Sequence, residues 1–308
     1  MILAPMQGLT EVLFRRVYEE CFPGAIRLAV SPFLSLTHGN LADAWEKIDD
    51  VWPERNRGSI PVIPQILGKE PEEFVELANR LYDIGYTEVN WNMGCPMRKV
   101  AAKHRGSGLL PHPDEVEAIL DTVVPRIKPR LSVKMRLGLK QKEEIFALVP
   151  LLNQYPLASV TIHPRLGRQQ YTGVPDLETF AQVLPLIKHP VIYNGDICSA
   201  ADARRIRERF PQVADLMVGR GVLYRPTLPL EIEGLPCPDP RNAAKGFVKR
   251  LMEEVARELP TDESRMRKSK EYWCMVWKSI GITEMDSRKV LHAQEFADVE
   301  KIICQLLQ

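Results

Sequence analysis

A chain of 308 residues with 41 lysines and arginines against 40 acidic residues carries a formal net charge of +1, so affinity for a polyanion must come from a local patch. Its length allows one large core with a smaller appendage. The six cysteines, at 21, 95, 198, 237, 274 and 304, form no C-x-x-C pair, which argues against a cysteine zinc site or a compact disulfide framework and fits reduced thiols in the cytoplasm.

The first predicted strand, Ile2 to Met6, follows neither a basic leader nor a long apolar run, so no signal peptide or membrane span is expected. Further short, β-branched runs follow at Ile26 to Phe33, Pro61 to Leu67, Thr87 to Asn92, Leu131 to Arg136, Ser159 to His163, Val191 to Asn194 and Leu216 to Val218. Helical patterns separate them. In Glu70 to Ile84, for example, Phe74, Leu77, Leu81 and Ile84 recur at three- and four-residue spacing behind Pro71. Eight alternating units predict an α/β fold, a parallel (β/α)8 TIM barrel. The proline-rich stretch Tyr224 to Pro240 reads as a linker or extended wrap. Helical patterns over Ala243 to Leu259, Glu263 to Ile280 and a last helix or two then predict a C-terminal all-helical domain. The expected division is 1–235 and 236–308.

Chemistry in such a barrel gathers at the C-terminal strand ends, and the unusual residues of this chain cluster there. In Asn90-Trp91-Asn92-Met93-Gly94-Cys95-Pro96 a strand ends on an amide, a glycine and a thiol held by proline. The cations Arg98, Lys99, Lys103 and Arg105, with His104, come next and suit an anionic polymer. Lys134 and Arg136 alternate with Val133 and Met135, so both point to one face of their strand; if that face is the lumen, they need anionic company. Asn194-Gly195 after strand seven and Gly219-Arg220-Gly221 after strand eight stand where such barrels bind a phosphate. His163 joins Lys134 and Asn194 at neighbouring strand ends, whereas His38, His112, His189 and His292 show no constellation and read as surface residues. Neither a dinucleotide fingerprint nor a P-loop is present, so a nicotinamide cofactor has no dedicated domain and ATP chemistry is disfavoured. On a C-terminal helix, Arg267, Lys270, Cys274 and Lys278 share a stripe opposite Tyr272, Trp273, Val276 and Ile280. The aromatic stripe reads as core, and the cationic one as a solvated face or a phosphate track.

With Ala4-Pro5-Met6, Asn90 to Pro96, Val133 to Gly138, His163-Pro164-Arg165, Tyr193-Asn194-Gly195-Asp196 and Val218 to Gly221 in that order, the chain resembles the tRNA-dihydrouridine synthases over nearly its whole length. Lys268 to Tyr272 resembles the helical RNA-binding domain of the bacterial C-type subgroup. The resemblance implies an FMN-dependent, NADPH-consuming enzyme that reduces the C5–C6 double bond of particular uridines in tRNA. Hydride would pass from flavin N5 to uracil C6, and Cys95 would protonate C5 as general acid. Flavin contacts carry over onto Pro5, Met6, Gln65, Lys134, His163, Asn194, Gly195, Asp196, Gly219 and Arg220. Substrate contacts fall on Asn92, Arg136 and Arg165, with Arg98, Lys99 and Lys270 as tRNA cations. No metal is expected, and a monomer suits a large folded RNA. Pro164 and Trp91 depart from the family's usual residues, which weakens any assignment of the target uridine. Two other readings are a flavin reductase of a free pyrimidine, which leaves the cations after Cys95 and the C-terminal helices unused, and a catalytically silent tRNA-binding barrel.

Overall fold

Strands covered on both faces need apolar or paired side chains throughout, and all eight predicted runs meet that demand. The computed structural model describes residues 1–35 and 48–308; His38 lies outside them. Strands β1 (Ile2–Leu3), β2 (Leu28–Ser35), β3 (Val62–Leu67), β4 (Glu88–Met93), β5 (Arg130–Gly138), β6 (Val160–Leu166), β7 (Val191–Asn194) and β8 (Asp215–Val218) close in sequence order into a parallel barrel. The first strand is shorter than its sequence run because Pro5 has no N–H to extend the ladder. Thr10 fixes the chain instead: its hydroxyl accepts from Met6 N at 2.9 Å and donates to Ala4 O at 3.1 Å.

Helices α1 (Val12–Cys21), α2 (Pro71–Asp83), α3 (Arg98–Ala101), α4 (Pro113–Val123), α5 (Glu144–Leu152), α6 (Leu177–Val183) and α7 (Ala200–Arg209) lie between the strands. In α2 the residues Phe74, Leu77, Ala78 and Leu81 form the buried stripe that the spacing predicts. Ile2, Ala4, Val30, Ile192 and Met217 form a small cluster of their own, separate from the main core. Across β3 to β6 the register aligns Gln65 with Asn90, Asn90 with Ser132, Asn92 with Lys134, Lys134 with Thr161, and Arg136 with His163. Strand pairing thus turns separate polar positions into adjacent rungs.

The proline-rich stretch is more structured than its composition suggests. After α8 (Arg220–Tyr224), the chain forms α9 (Leu228–Glu233), which buries Leu228, Pro229 and Leu230 before Gly234 ends it at φ 67°. Proline stands in the first turn of α9, where its missing N–H costs nothing. Four helices follow: α10 (Pro240–Glu258), α11 (Asp262–Val276), α12 (Glu284–His292) and α13 (Phe296–Leu306). Asp239, Thr261 and Thr283 cap the first three through side-chain oxygens. These helices share the main core with the barrel. Phe247 of α10 meets Phe14 edge-on at 5.6 Å and Tyr18 at 5.7 Å. Fully buried Glu254 is paired with Arg16, Arg250 and Arg257. Among the described residues no helix is long and apolar enough to cross a membrane, and all six cysteines are unpaired.

Candidate active site

A cavity of about 250 Å³ opens among the residues that end the barrel strands. It brings together twelve of the residues singled out in the sequence: Pro5, Met6, Asn92, Cys95, Lys134, Arg136, His163, Asn194, Gly195, Asp196, Gly219 and Arg220.

Cys95 is held by its backbone. The Asn92 side-chain oxygen accepts from Gly94 N at 3.0 Å and Cys95 N at 2.9 Å, closing a tight turn. On the other side, Ser107 donates to Cys95 O through both its N–H, at 3.0 Å, and its hydroxyl, at 2.9 Å. Gly106 makes that approach possible, because it stands at φ 56° and a Cβ there would lie 2.8 Å from Cys95 Cβ. Burial pushes the Cys95 thiol above its ordinary range. The Met97 N–H and the charges of Arg136, Lys134 and Arg105 oppose that shift without cancelling it. At neutral pH the group is a thiol with a proton to give.

Gln65 lies beneath the cavity rather than on its wall. It is fully buried, donates to Asn90 Oδ1 at 2.7 Å and accepts from Asn92 Nδ2 at 2.8 Å; Asn90 then donates to Ser132 Oγ at 3.0 Å. This chain of amides sets the orientation of Asn92, so its oxygen faces the Cys95 turn.

The cavity is electropositive. Lys134 makes no salt bridge among the described residues, and burial, aided by the nearby Arg136 charge, lowers its pKa to about 7. Arg136 donates to Gly94 O at 3.0 Å and Leu166 O at 2.9 Å, which ties the Cys95 turn to the end of β6. Arg165 is buried behind His163 and off the cavity wall. It donates to His163 Nε2 at 3.0 Å and grips Asp196 with both terminal nitrogens. Because a guanidinium only donates, His163 Nε2 accepts and the ring proton sits on Nδ1. Burial and the surrounding cations keep that imidazole neutral, well below its usual pKa. Burial alone would raise the Asp196 carboxyl, but hydrogen bonds and charge from Arg165 and Arg220 outweigh it and hold the group ionised. Two guanidiniums around one carboxylate leave one net positive charge at the ends of β7 and β8.

The cationic run after Cys95 divides. Arg98, Lys99 and Lys103 are exposed, whereas Arg105 is buried near Cys95, so it is not part of the outer surface. On α11 the aromatic stripe is core as expected, but Lys270 is committed to structure. Its ammonium donates to Ala293 O at 2.5 Å and caps the C-terminus of α12. Arg267, Cys274 and Lys278 remain exposed. His112 is not the isolated surface residue that the sequence suggested, since its ring stacks on His104 at 4.0 Å.

Sequence reasoning missed Gly106, Ser107 and Tyr171. The small-residue run Gly106-Ser107-Gly108 was available as a signal, but it was masked by the cations before it. Tyr171, half-exposed at the cavity mouth, stands 5.7 Å from the Arg136 guanidinium and 5.1 Å from that of Arg220. Nothing in its local sequence marks it.

Comparison with known proteins bears on the family and the fold. The family model described as "Dihydrouridine synthase (Dus)" matches residues 2–297. A probable tRNA-dihydrouridine synthase of Rhodobacter capsulatus is 31% identical over 230 residues, covering 73% of this chain and 68% of its own. A tRNA-dihydrouridine(16) synthase of Pseudomonas putida is 30% identical over 237 residues, covering 75% and 72%. Among solved structures, morphinone reductase shares the fold with a TM-score of 0.53 at 13% identity, over 78% of this chain and 87% of that one.

Proposed function

We propose, since this chain belongs to the dihydrouridine synthase family, that it reduces the C5–C6 double bond of a uridine in tRNA and that Cys95 is the proton donor. The observation that carries the reading is a buried thiol, fixed by its backbone, on the wall of a cavity that also presents Lys134, Arg136 and Arg220.

The cavity fits FMN on its own chemistry. Lys134 without a carboxylate partner and the His163 Nδ1–H are donors for an electron-rich ring edge, and the residual positive charge of the Arg165–Asp196–Arg220 cluster suits a phosphate. Gly219 has Ala4 Cβ and Met6 Sδ 3.3 Å from where a Cβ would sit, so any larger residue would crowd the floor there. FMN, when bound, supplies hydride to C6, with NADPH as the reductant that restores it.

The chain's own residues supply the rest. As C6 gains hydride, the Cys95 S–H bond breaks and a C5–H bond forms, leaving a thiolate. The Met97 N–H and the charges of Arg136 and Lys134 stabilise that thiolate, as they already oppose the effect of burial in the resting state. Solvent then returns the proton. Arg136 spends two donors on backbone carbonyls, which keeps the Cys95 turn at a fixed distance from the mouth. Drawing a uridine out of a folded tRNA costs about a few kcal/mol of stacking, which contacts to phosphates must offset. Arg98 and Lys99 beside the mouth, with Arg267 on α11 and Lys278 in the turn just past its end, are exposed cations without ion pairs among the described residues.

The test is mass mapping of dihydrouridine in tRNA from cells lacking this protein, with add-back of the parent and of Cys95→Ala. One position should lose the modification and regain it with the parent alone. If every dihydrouridine persists without the protein, the reading is wrong.

A further inference from the structure

Away from the cavity, three side chains converge that the proposed reaction does not use. His104 follows α3, His112 sits at the N-cap of α4, and Glu115 occupies the first turn of that helix. His104 Nδ1 lies 2.7 Å from Glu115 Oε1, His112 Nδ1 lies 3.9 Å from the same oxygen, and the two rings stack with 12° between their planes. One ligand atom from each residue lies within 4.8 Å of the others.

We propose that His104, His112 and Glu115 form a binding site for a divalent first-row transition metal of the zinc class, distinct from the catalytic cavity. Tetrahedral coordination at about 2.0–2.1 Å sets donors roughly 3.3 Å apart. The two distances to Glu115 Oε1 straddle that value, and because each ring's lone pair lies in its own plane, the His112 ring turns out of its stack on His104 to reach the ion. Two imidazoles and a carboxylate suit zinc, cobalt or nickel and not the oxygen-seeking calcium and magnesium. All three side chains are about two-fifths exposed, which leaves a route in for the ion and a fourth position for water. Lys69, 4.0 Å from Glu115, faces the other carboxylate oxygen and leaves Oε1 open to a metal. The metal takes the place of the hydrogen-bonded proton between His104 and Glu115, and that proton leaves for solvent or for the far ring nitrogen.

The site has a mechanical consequence. His104 stands at φ 50°, a region that side-chain-bearing residues seldom occupy, two residues before the Gly106-Ser107 pair that grips the Cys95 backbone. A metal bridging His104 to α4 therefore anchors the segment that holds the catalytic turn.

The experiment titrates untagged, chelator-treated protein with zinc and with cobalt(II), following stoichiometry by calorimetry and geometry by cobalt absorption. Parent protein should bind one equivalent that is lost in His104→Asn and in Glu115→Gln, with affinity falling at least about 100-fold, since even partners behind metal ligands cost 10–100-fold. Asparagine tolerates the left-handed backbone, so His104→Asn keeps the loop, which circular dichroism and thermal unfolding without metal should verify. Exposed Cys198, Cys274 and Cys304 cannot explain such a difference, because both variants retain them. Absence of binding by the parent up to about 100 µM metal, where any site with a Kd at or below that concentration is at least half filled, overturns the proposal. So does equal stoichiometry and affinity in parent and variants.

Discussion

Replacing Lys134 with methionine should make the ligand-free protein more stable while removing its ability to hold an anionic ring edge. Lys134 has an ordinary value of 10.5 and a folded value of about 7. Between those limits the unfolded chain binds a proton that the folded one does not, so stability rises with pH across the window. Below about pH 7 the ammonium is charged in both states and the full burial penalty applies. At 1.36 kcal/mol per unit, the penalty at pH 7 is roughly 4 kcal/mol. The side chain keeps partial contact with solvent in the cavity, and screening brings the expected gain to about 2 kcal/mol at pH 7. It should shrink to about 1 kcal/mol at pH 9, as the parent loses its buried charge. The assay is urea unfolding of flavin-free parent and Lys134→Met at both values. A methionine that merely packs better would give the same gain at pH 7 and pH 9, and that result would refute the electrostatic argument. Lower stability of the variant at pH 7 would refute it outright.

Cys95→Ala should abolish dihydrouridine formation while leaving flavin content unchanged, and the proton-donation step of the parent should slow as pH climbs past the thiol's raised pKa; flavin absorbance and single-turnover rates against pH check the two. Arg267→Ala with Lys278→Ala should weaken tRNA binding and lower the salt slope by about 0.9 for each phosphate that is no longer neutralised, measured by filter binding, whereas an unchanged slope would mean that these cations of α11 and the turn after it are only solvated. Phe247→Ala should cost about 3–5 kcal/mol in thermal or urea unfolding, because the ring fills the space between α10 and α1; a cost below about 1 kcal/mol would mean that the helices and barrel are not one core.

All eight strands were legible because a parallel barrel buries both faces of each one, which leaves continuous apolar runs in the sequence. Strand ends were legible for the same reason: polar residues that interrupt such runs must be paired or used. What the sequence withheld was depth. In the sequence Gln65, Arg165 and Lys134 look alike as polar residues late in strand runs, yet Gln65 is held in an amide chain off the cavity wall and Arg165 lies behind His163. Strand periodicity gives a face, but height above the barrel floor depends on register with neighbours. Lys270 and Lys278 read as one helical stripe, but the helix ends at Val276 before Lys278, and the end of α12 decides that Lys270 is a cap.

That difference in depth also explains why the site needs so many residues that touch no ligand. Burial favours the protonated Cys95 thiol against the cations around it, and burial also deprives its turn of water as a hydrogen-bond partner. Asn92 therefore supplies an acceptor for two backbone N–H groups, and Ser107 supplies two donors to the Cys95 carbonyl. Asn92 can do so only in one amide orientation, which Gln65 and Asn90 select in turn. The same burial that raises the Cys95 thiol depresses Lys134, so a single property of the cavity favours the protonated thiol and leaves the cation in want of an anion.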